Sequence, residues 1–556
     1  MFPGFNKIEQ QVHYPSDRRM FVALKGSVVW IILILVLLVI SLAWVQYIVS
    51  GLPSVATSHP LHVDQVKGYG FPWWLRLTHW VNFFFLITII RSGLSILADH
   101  PRLYWNSGCY PNSEWIRFTP IEVPFDRPYT AKDDARYLSP VLGLPGFRHT
   151  IGVARTWHFL HVPFFLMNGV IFISLLFVTD QWQKIIPSSW SIIPDAWNVF
   201  VHYVTFNMPV EPNGFYEYNA LQKLSYFVVV FMFTPVSVVS GLAMSPAIES
   251  RLSWVPKIFG NRQGARSAHF LVMVAYAFFL IAHVTMVLIT APIRNLNHIT
   301  TGLDDGEDIS GIILFGVVMG LVVGFGFLAH WLSWRKPRSL QMLEAKINGA
   351  LWRKSLNKLS PTTRYLKKDI SPYFWKNGKM PDSPEWREHV RTDFHNYRLI
   401  VDGLVENPVQ LSIDELKKLS TEETITMHHC IQGWTGIAQW RGLSLKALIA
   451  LVKPNPEVKT VVFHSYGEGL YGGKYYDTHT LENCLKPQSI LAWEMNYKRL
   501  TNEHGAPLRL RIENQLGYKM VKWISRVEFV TSHKGVGKGY GGTNEDEEYF
   551  DLIANT

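Results

Sequence analysis

The hydrophobic pattern divides the chain in two. Up to about residue 335 apolar residues run together in long blocks; beyond it they are broken every few positions by charged and polar ones. Six blocks come near the roughly 20 apolar residues that a helix needs to cross about 30 Å of hydrocarbon. They cover 27–49, 74–96, 158–178, 221–244, 268–290 and 309–331. Six in succession predict a membrane bundle rather than buried soluble helices, and the Gly, Ser and Thr inside several of them suit close helix contacts in lipid. Residues 335–367 are basic and helix-prone, as in a linker. From 368 onward short runs such as Tyr397–Gly403, Thr460–His464 and Arg509–Ile512 lie between Gly, Pro, Asn and Asp, which predicts strands. Short helices are expected over Ser412–Leu419, opening on the capping box Ser412-Ile-Asp-Glu415, and over Ser444–Val452. The expected organisation is an N-terminal segment 1–26, a membrane domain 27–334, a linker 335–367 and an α+β domain 368–556.

Charge refines this picture. The chain has 53 basic and 43 acidic side chains, a net +10. The excess does not form a soluble patch for nucleic acid; it sits in alternate loops. Arg102, Arg117, Arg127, Lys132, Arg136, Arg148 and Arg155 follow the second block, and Arg251, Lys257, Arg262 and Arg266 follow the fourth. The intervening loops carry little beyond Lys67, Lys184 and Arg294. The positive-inside rule then puts both termini and the C-terminal domain in the cytoplasm, on a multi-pass inner-membrane protein. Arg18-Arg19-Met-Phe-Val resembles a twin-arginine export signal, but the strongly apolar run after it favours a positive flank. Only Cys109, Cys430 and Cys484 are present, which excludes a disulfide framework and any four-cysteine metal site within the chain.

Histidines stand inside the apolar blocks, where ionisable groups are costly and usually functional. His79 opens the second block, His158 and His161 the third, and His269 and His283 share the fifth. The last two are 14 residues apart, about 21 Å and within roughly 40° on one helix face, so one helix could give an axial ligand to each of two haems. Matching depths pairs His79 with His283, and His161 with His269.

These segments resemble the cytochrome b subunits of formate dehydrogenase, thiosulfate reductase and nickel–iron hydrogenase. The resemblance rests on Arg76-Leu-Thr-His-Trp80, Leu160-His-Val-Pro-Phe-Phe165, Tyr218-Asn-Ala-Leu-Gln-Lys223 and the His269/His283 pair. It implies a four-helix core binding two b haems and a quinone site near one face. It favours His161 as ligand, with His158 as the alternative. The first and sixth spans lie outside that core, and the extra first span reverses its orientation, so the face holding the quinone does not transfer. Tyr218, Asn219 and Lys223 suit either a quinone or propionate neighbourhood or an interfacial helix start.

In the C-terminal half, Met427-His-His-Cys-Ile-Gln-Gly-Trp434 places a lone cysteine after a strand-like run. Such a cysteine is commonly a small hydrophobe. One thiolate can bind a soft metal only if another group supplies the remaining ligands. Residues from about 370 to 556 resemble the catalytic domain of the sulfite oxidase family, especially its protein-methionine-sulfoxide reductase branch. The motifs are His429-Cys-Ile-Gln-Gly-Trp434, Leu491-Ala-Trp-Glu-Met-Asn496, His504-Gly-Ala-Pro-Leu-Arg509 and Gly517-Tyr-Lys-Met-Val-Lys-Trp523. This implies molybdenum on Cys430, held with one molybdopterin by Ser465, His504, Arg509, Met520, Val521 and Lys522. Asn377 is either a further cofactor contact or a loop-turn residue, and Cys484 reads as structural. Sulfite oxidases place arginines just after the cysteine; here Ile431-Gln-Gly-Trp434 follows, which favours a neutral or bulky oxo substrate.

The function expected is a membrane-bound molybdenum oxidoreductase. It would pass electrons from quinol through two b haems to a sulfoxide-like substrate, small or protein-borne, with a homodimer admitted. Substrate oxidation feeding quinone, or a non-enzymatic haem redox sensor, are the alternatives.

Overall fold

The computed structural model describes residues 23–24, 26–55, 70–123, 129, 131–146, 151–208, 214–356, 364–469 and 472–552. The Arg18-Arg19 pair lies outside the described residues. Among the described residues six helices are long and apolar enough to cross a membrane. They are α1 (Gly26–Ser50), α2 (Trp73–Leu97), α3 (Ile151–Val178), α4 (Ala220–Ala243), α5 (Arg262–Thr290) and α6 (Ser310–Arg335). Many of their apolar side chains, most of all on α1 and α6, are exposed on the bundle surface, as expected where lipid rather than water is the solvent. Polar side chains join the helices inside: Asn168 on α3 donates to Thr78 O at 3.0 Å and Asn82 Oδ1 at 2.7 Å on α2. Trp157 Nε1 on α3 donates to Ser333 Oγ on α6 at 2.8 Å.

α4 is not uniform. Asn219 caps it, its side chain accepting from Gln222 N while Gln222 reaches back to the Asn219 N–H. Asn219 is therefore a helix start, the plainer of its two expected roles. Val228–Phe233 widens into a π-turn just before Pro235, whose missing N–H cannot continue the regular ladder. α1 stands at the periphery. It meets the short helix Ile192–Val204 through Trp197 Nε1, which donates to Gln46 Oε1 at 2.7 Å.

α3 and α5 begin several residues before their apolar blocks. These extra turns, with the loop after α2, form a platform on one side of the bundle. Within that loop Arg102 is fully buried and bonded to Asp134 at 2.6 Å and Glu114 at 2.9 Å. The expected linker contains a helix, α7 (Pro337–Leu356), which packs on α3; Asn348 Nδ2 donates to Phe159 O at 2.6 Å.

The soluble half is an α+β unit with two five-stranded sheets. Its strands are β1 (Leu399–Gly403), β2 (Val409–Leu411), β3 (Thr421–His429), β4 (Thr435–Ser444), β5 (Thr460–Glu468), β6 (Lys474–Thr480), β7 (Ile490–Met495), β8 (Lys498–Arg499), β9 (Arg509–Arg511) and β10 (Ile524–Val530). One sheet runs β8-β7-β4-β3 with β9 also on β7; the other runs β2-β1-β10-β5-β6. All pairings are antiparallel except β1 with β10. Trp440, Phe463, Leu491, Leu510 and Phe529 fill the core, and Cys484 is buried there as a packing residue. The capping box at Ser412 is formed as its sequence predicts.

Candidate redox site

The paired histidines come from three helices. His79 on α2 faces His283 on α5 with ring centroids 6.4 Å apart, and His158 on α3 faces His269 on α5 at 6.5 Å. Two imidazoles bound to one metal at about 2 Å per nitrogen place their centroids about 6.3 Å apart. Both pairs have that separation before any metal is placed between them. All four rings are only part-buried, so they border space in the bundle.

The inner pair is oriented by hydroxyls. Ser92 Oγ lies 3.1 Å from His158 Nδ1, and Ser240 Oγ lies 2.9 Å from His269 Nδ1. Those contacts occupy Nδ1 of each ring, so that Nε2 is the nitrogen available to a metal, the arrangement that orients imidazole ligands. Gly93 and Gly241 stand against the two rings, where an added Cβ would come within 3.7 and 3.6 Å.

His161, the expected partner of His269, is placed elsewhere. Its Nδ1 bonds to Trp157 O at 2.8 Å, and its ring stacks on Trp157 at 5.3 Å beside Phe84 and Phe85. It is 5 % exposed and, among the described residues, faces no second histidine. Depth in the membrane cannot separate His158 from His161, which lie within one turn; the azimuth does, and it brings His158 to His269.

In the soluble half Cys430 occupies the tip of the β3–β4 hairpin. His429 pairs with Thr435, and the loop closes through Cys430 N to Trp434 O at 3.1 Å and Gly433 N to Cys430 O at 3.0 Å. Gly433 has φ +107°, and a Cβ there would press on the Arg266 guanidinium at 3.2 Å, so the loop needs glycine. Burial pushes the Cys430 thiol up to about 12. A buried thiolate is unfavourable unless a metal takes its charge.

The residues expected to hold the pterin converge behind this loop. Gly505, at φ +110°, lets Arg509 and Lys522 approach from both sides. Arg509 is buried and donates to His504 O at 3.1 Å. Lys522 Nζ donates to the carbonyls of Glu503, at 2.8 Å, and Asn377. His504 bonds to Thr501 Oγ1 at 2.9 Å and Phe374 O at 3.2 Å; burial draws its pKa down to about 4, so it is neutral. Burial, then Arg509, pulls Lys522 well below the ordinary lysine range. Among the described residues neither Arg509 nor Lys522 has a carboxylate ion pair, and an anionic group such as a pterin phosphate beside them would favour their charged forms. Arg509 Nε, Trp434 Nε1, Trp440 Nε1 and His429 Nδ1 are buried and make no hydrogen bond among the described residues.

The other expected residues act through the backbone. Ser465 Oγ donates to Lys522 O at 2.7 Å and accepts from Gly467 N at 2.9 Å. Val521 O accepts from Leu510 N at 2.7 Å, and Met520 and Val521 are buried. Asn377 meets Lys522 by its carbonyl.

Sequence reasoning missed the residues that join the halves. Arg262 Nη1 and Gln263 Nε2, on the first turn of α5, donate to Gly433 O at 3.0 and 2.9 Å. A signal was present: Arg262 and Arg266 put two cations at a helix N-terminus, where the dipole disfavours them.

Residues 70–302 match the family model for prokaryotic cytochrome b561, and residues 387–536 that for the oxidoreductase molybdopterin binding domain. A putative protein-methionine-sulfoxide reductase subunit of Azospira oryzae is 31 % identical over 157 residues, covering 28 % of this chain and 55 % of that protein. The protein-methionine-sulfoxide reductase catalytic subunit of Campylobacter jejuni is 29 % identical over 145 residues, 24 % of this chain and 49 % of that protein. The chain thus spans about half the length of these two relatives. The sulfane dehydrogenase SoxCD of Paracoccus pantotrophus matches over 25 % of this chain and 40 % of its own, at 23 % identity and TM-score 0.23, too slight a likeness to bear on the fold. The chain joins a membrane cytochrome b561 domain to a molybdopterin-binding oxidoreductase domain of the sulfite oxidase type.

Proposed function

We propose that this protein carries electrons from membrane quinol through two b haems to molybdenum at Cys430, where a sulfoxide-like substrate is reduced. The observation that carries the reading is the seating of the Cys430 loop on α5, the helix that bears His269 and His283. Molybdenum with its pterin supplies two-electron exchange of an oxygen atom, and the haems supply one-electron transfer. The chain does the rest. His79 with His283, and His158 with His269, would hold the two irons; the two histidines of α5 stand fourteen residues, about 21 Å of helix rise, apart. Ser92 and Ser240 fix the imidazoles of the second pair. Cys430 would ligate molybdenum, while Arg509, Lys522 and His504 would grip the pterin phosphate, with Ser465, Met520, Val521 and Asn377 setting the backbone of that cradle. Arg262 and Gln263 link the Cys430 loop to the helix seven and six residues before His269. The overall reaction balances as sulfoxide plus quinol giving sulfide, quinone and water.

The basic loops that form the platform support a cytoplasmic position, at the inner membrane, for it and for the soluble half docked on it. The decisive experiment uses the purified full chain in lipid. It should contain two haems and one molybdenum; quinol should reduce the haems, and a sulfoxide should reoxidise them. Haems that stay reduced with every oxo acceptor, in protein with full molybdenum, would overturn the scheme. In a Cys430→Ala chain reoxidation should vanish while haem reduction persists.

A further inference from the structure

The hairpin tip that carries Cys430 is closed off from solvent by the membrane half. Cys430 is 5 % exposed, Gln432 4 % and Trp434 1 %. The covering groups come from the platform. Thr435 Oγ1 donates to Ser107 O at 2.6 Å, and Trp375 Nε1 donates to Cys109 O at 2.9 Å. Tyr104 and Cys109 share one apolar cluster with Cys430 and Trp434. Glu249 Oε2, from the short segment after α4, stands 4.0 Å from His429 Nδ1. The C-terminal segment closes another edge: Asp551 accepts from Tyr518 OH at its carbonyl, at 2.6 Å, and from Gln341 Nε2 at its carboxylate, at 2.6 Å.

A residue within a polypeptide brings its neighbours with it, about 3.5 Å of chain per residue on each side. The seam between the halves is bridged by direct hydrogen bonds, so such a strand would have to break them to reach Cys430. A free small molecule would not.

The wall also has a polar feature. Arg262 donates from Nε to Met244 O at 2.7 Å and from Nη1 to Gly433 O at 3.0 Å; among the described residues its remaining N–H groups make no hydrogen bond. Glu249, whose carboxylate stands 4.0 Å from His429 Nδ1, puts an opposite charge on the same wall. A donor whose charge is balanced nearby suits the oxygen of a neutral dipole better than an anion.

Resting on the reductase reading above, we propose that this site reduces small, free, neutral oxo compounds, such as dialkyl sulfoxides and tertiary amine N-oxides, rather than sulfoxides within proteins. The membrane half forms the wall opposite Cys430, and Arg262 holds the substrate oxygen. The sulfur–oxygen or nitrogen–oxygen bond breaks, quinol supplies both electrons and both protons, and the oxygen leaves as water.

The test uses the full chain in lipid nanodiscs with its haems reduced by quinol. Dimethyl sulfoxide, trimethylamine N-oxide and oxidised unfolded casein are compared at equal oxo-group concentration. The small acceptors should reoxidise the haems, with casein at least about a hundredfold slower. Comparable rates for casein would overturn the proposal. In Arg262→Gln, KM for dimethyl sulfoxide should rise about tenfold with haem reduction by quinol unchanged, and Arg262→Lys should recover part of it. An unchanged KM would remove Arg262 from the site. If no acceptor works, the small ones included, it is the reductase reading that fails.

Discussion

Gln263 on α5 donates from its side-chain amide to the carbonyl of Gly433, 2.9 Å away, and the same nitrogen lies 3.2 Å from Thr435 Oγ1. Gly433 is three residues from Cys430 and Gln263 six from His269, so this contact is a short bridge between the two expected redox centres. Gln263→Leu removes it. Quinol should still reduce the haems at the original rate. Reoxidation by substrate, followed by stopped-flow absorbance, should slow about tenfold, equivalent to about 1.4 kcal/mol, the scale of one buried hydrogen bond. Slowing of both phases would assign Gln263 to folding instead.

The two neighbouring histidines of α3 should separate cleanly. His158→Ala should lower haem from two per chain to one, since His269 loses the ring that faces it at 6.5 Å. His161→Phe should keep both, because His161 sits among aromatic rings with Nδ1 bonded to Trp157 O. Haem counted against protein by pyridine haemochromogen assay decides between them, and the reverse result would restore His161 as ligand.

Two lysines three residues apart should behave oppositely. Lys519 is buried in ion pairs with Asp477 and Glu545, and Lys519→Met should destabilise the protein by about 3–5 kcal/mol by stranding those carboxylates. Among the described residues Lys522 Nζ donates to the carbonyls of Asn377 and Glu503, lies 4.1 Å over the Trp523 ring and neighbours Arg509. Lys522→Met should leave the stability of cofactor-free protein within about 1 kcal/mol of the original while molybdenum content collapses. Thermal unfolding and metal analysis on the same preparations make the comparison.

Acid should expose a buried imidazole. His479 hydrogen-bonds to Lys519 O at 2.7 Å, and burial, then Lys519, draws its pKa down to about 3. The unfolded chain takes up this proton below about 6.5 while the folded chain does not, so stability falls as pH drops from 6.5 toward 3 and is unaffected above. Relative to His479→Gln, which keeps a donor there, the wild type should lose about 1.4 kcal/mol per pH unit in that window. Parallel stability curves for the two would refute the assignment.

The membrane half was legible because lipid imposes a length and a polarity on every span, and the six helices fall where the apolar blocks predicted. The molybdopterin domain was legible through motifs that stay local, such as the capping box at Ser412 and the cysteine between β3 and β4. Less local relationships were hidden. His158 and His161 have nearly the same depth, and only packing against α2 and α5 fixes which one turns inward. Ser92 and Ser240 read as ordinary small residues of membrane helices until the fold sets them beside imidazoles. The basic stretch after residue 335 read as a linker because its charge is plain in the sequence, whereas the contacts of α7 with α3 and Asp551 are tertiary. Arg262 and Gln263 appeared as one more positive loop; their target is a carbonyl some 170 residues away.

The seated hairpin tip also bears on the order of biogenesis. Translation begins at the N-terminus, so the six spans precede the Cys430 hairpin out of the ribosome. Once the tip has docked, its thiol is covered on the membrane side, so a pterin that arrives later would have to enter from the side of Arg509 and Lys522. Loading of the soluble half before docking meets no such restriction.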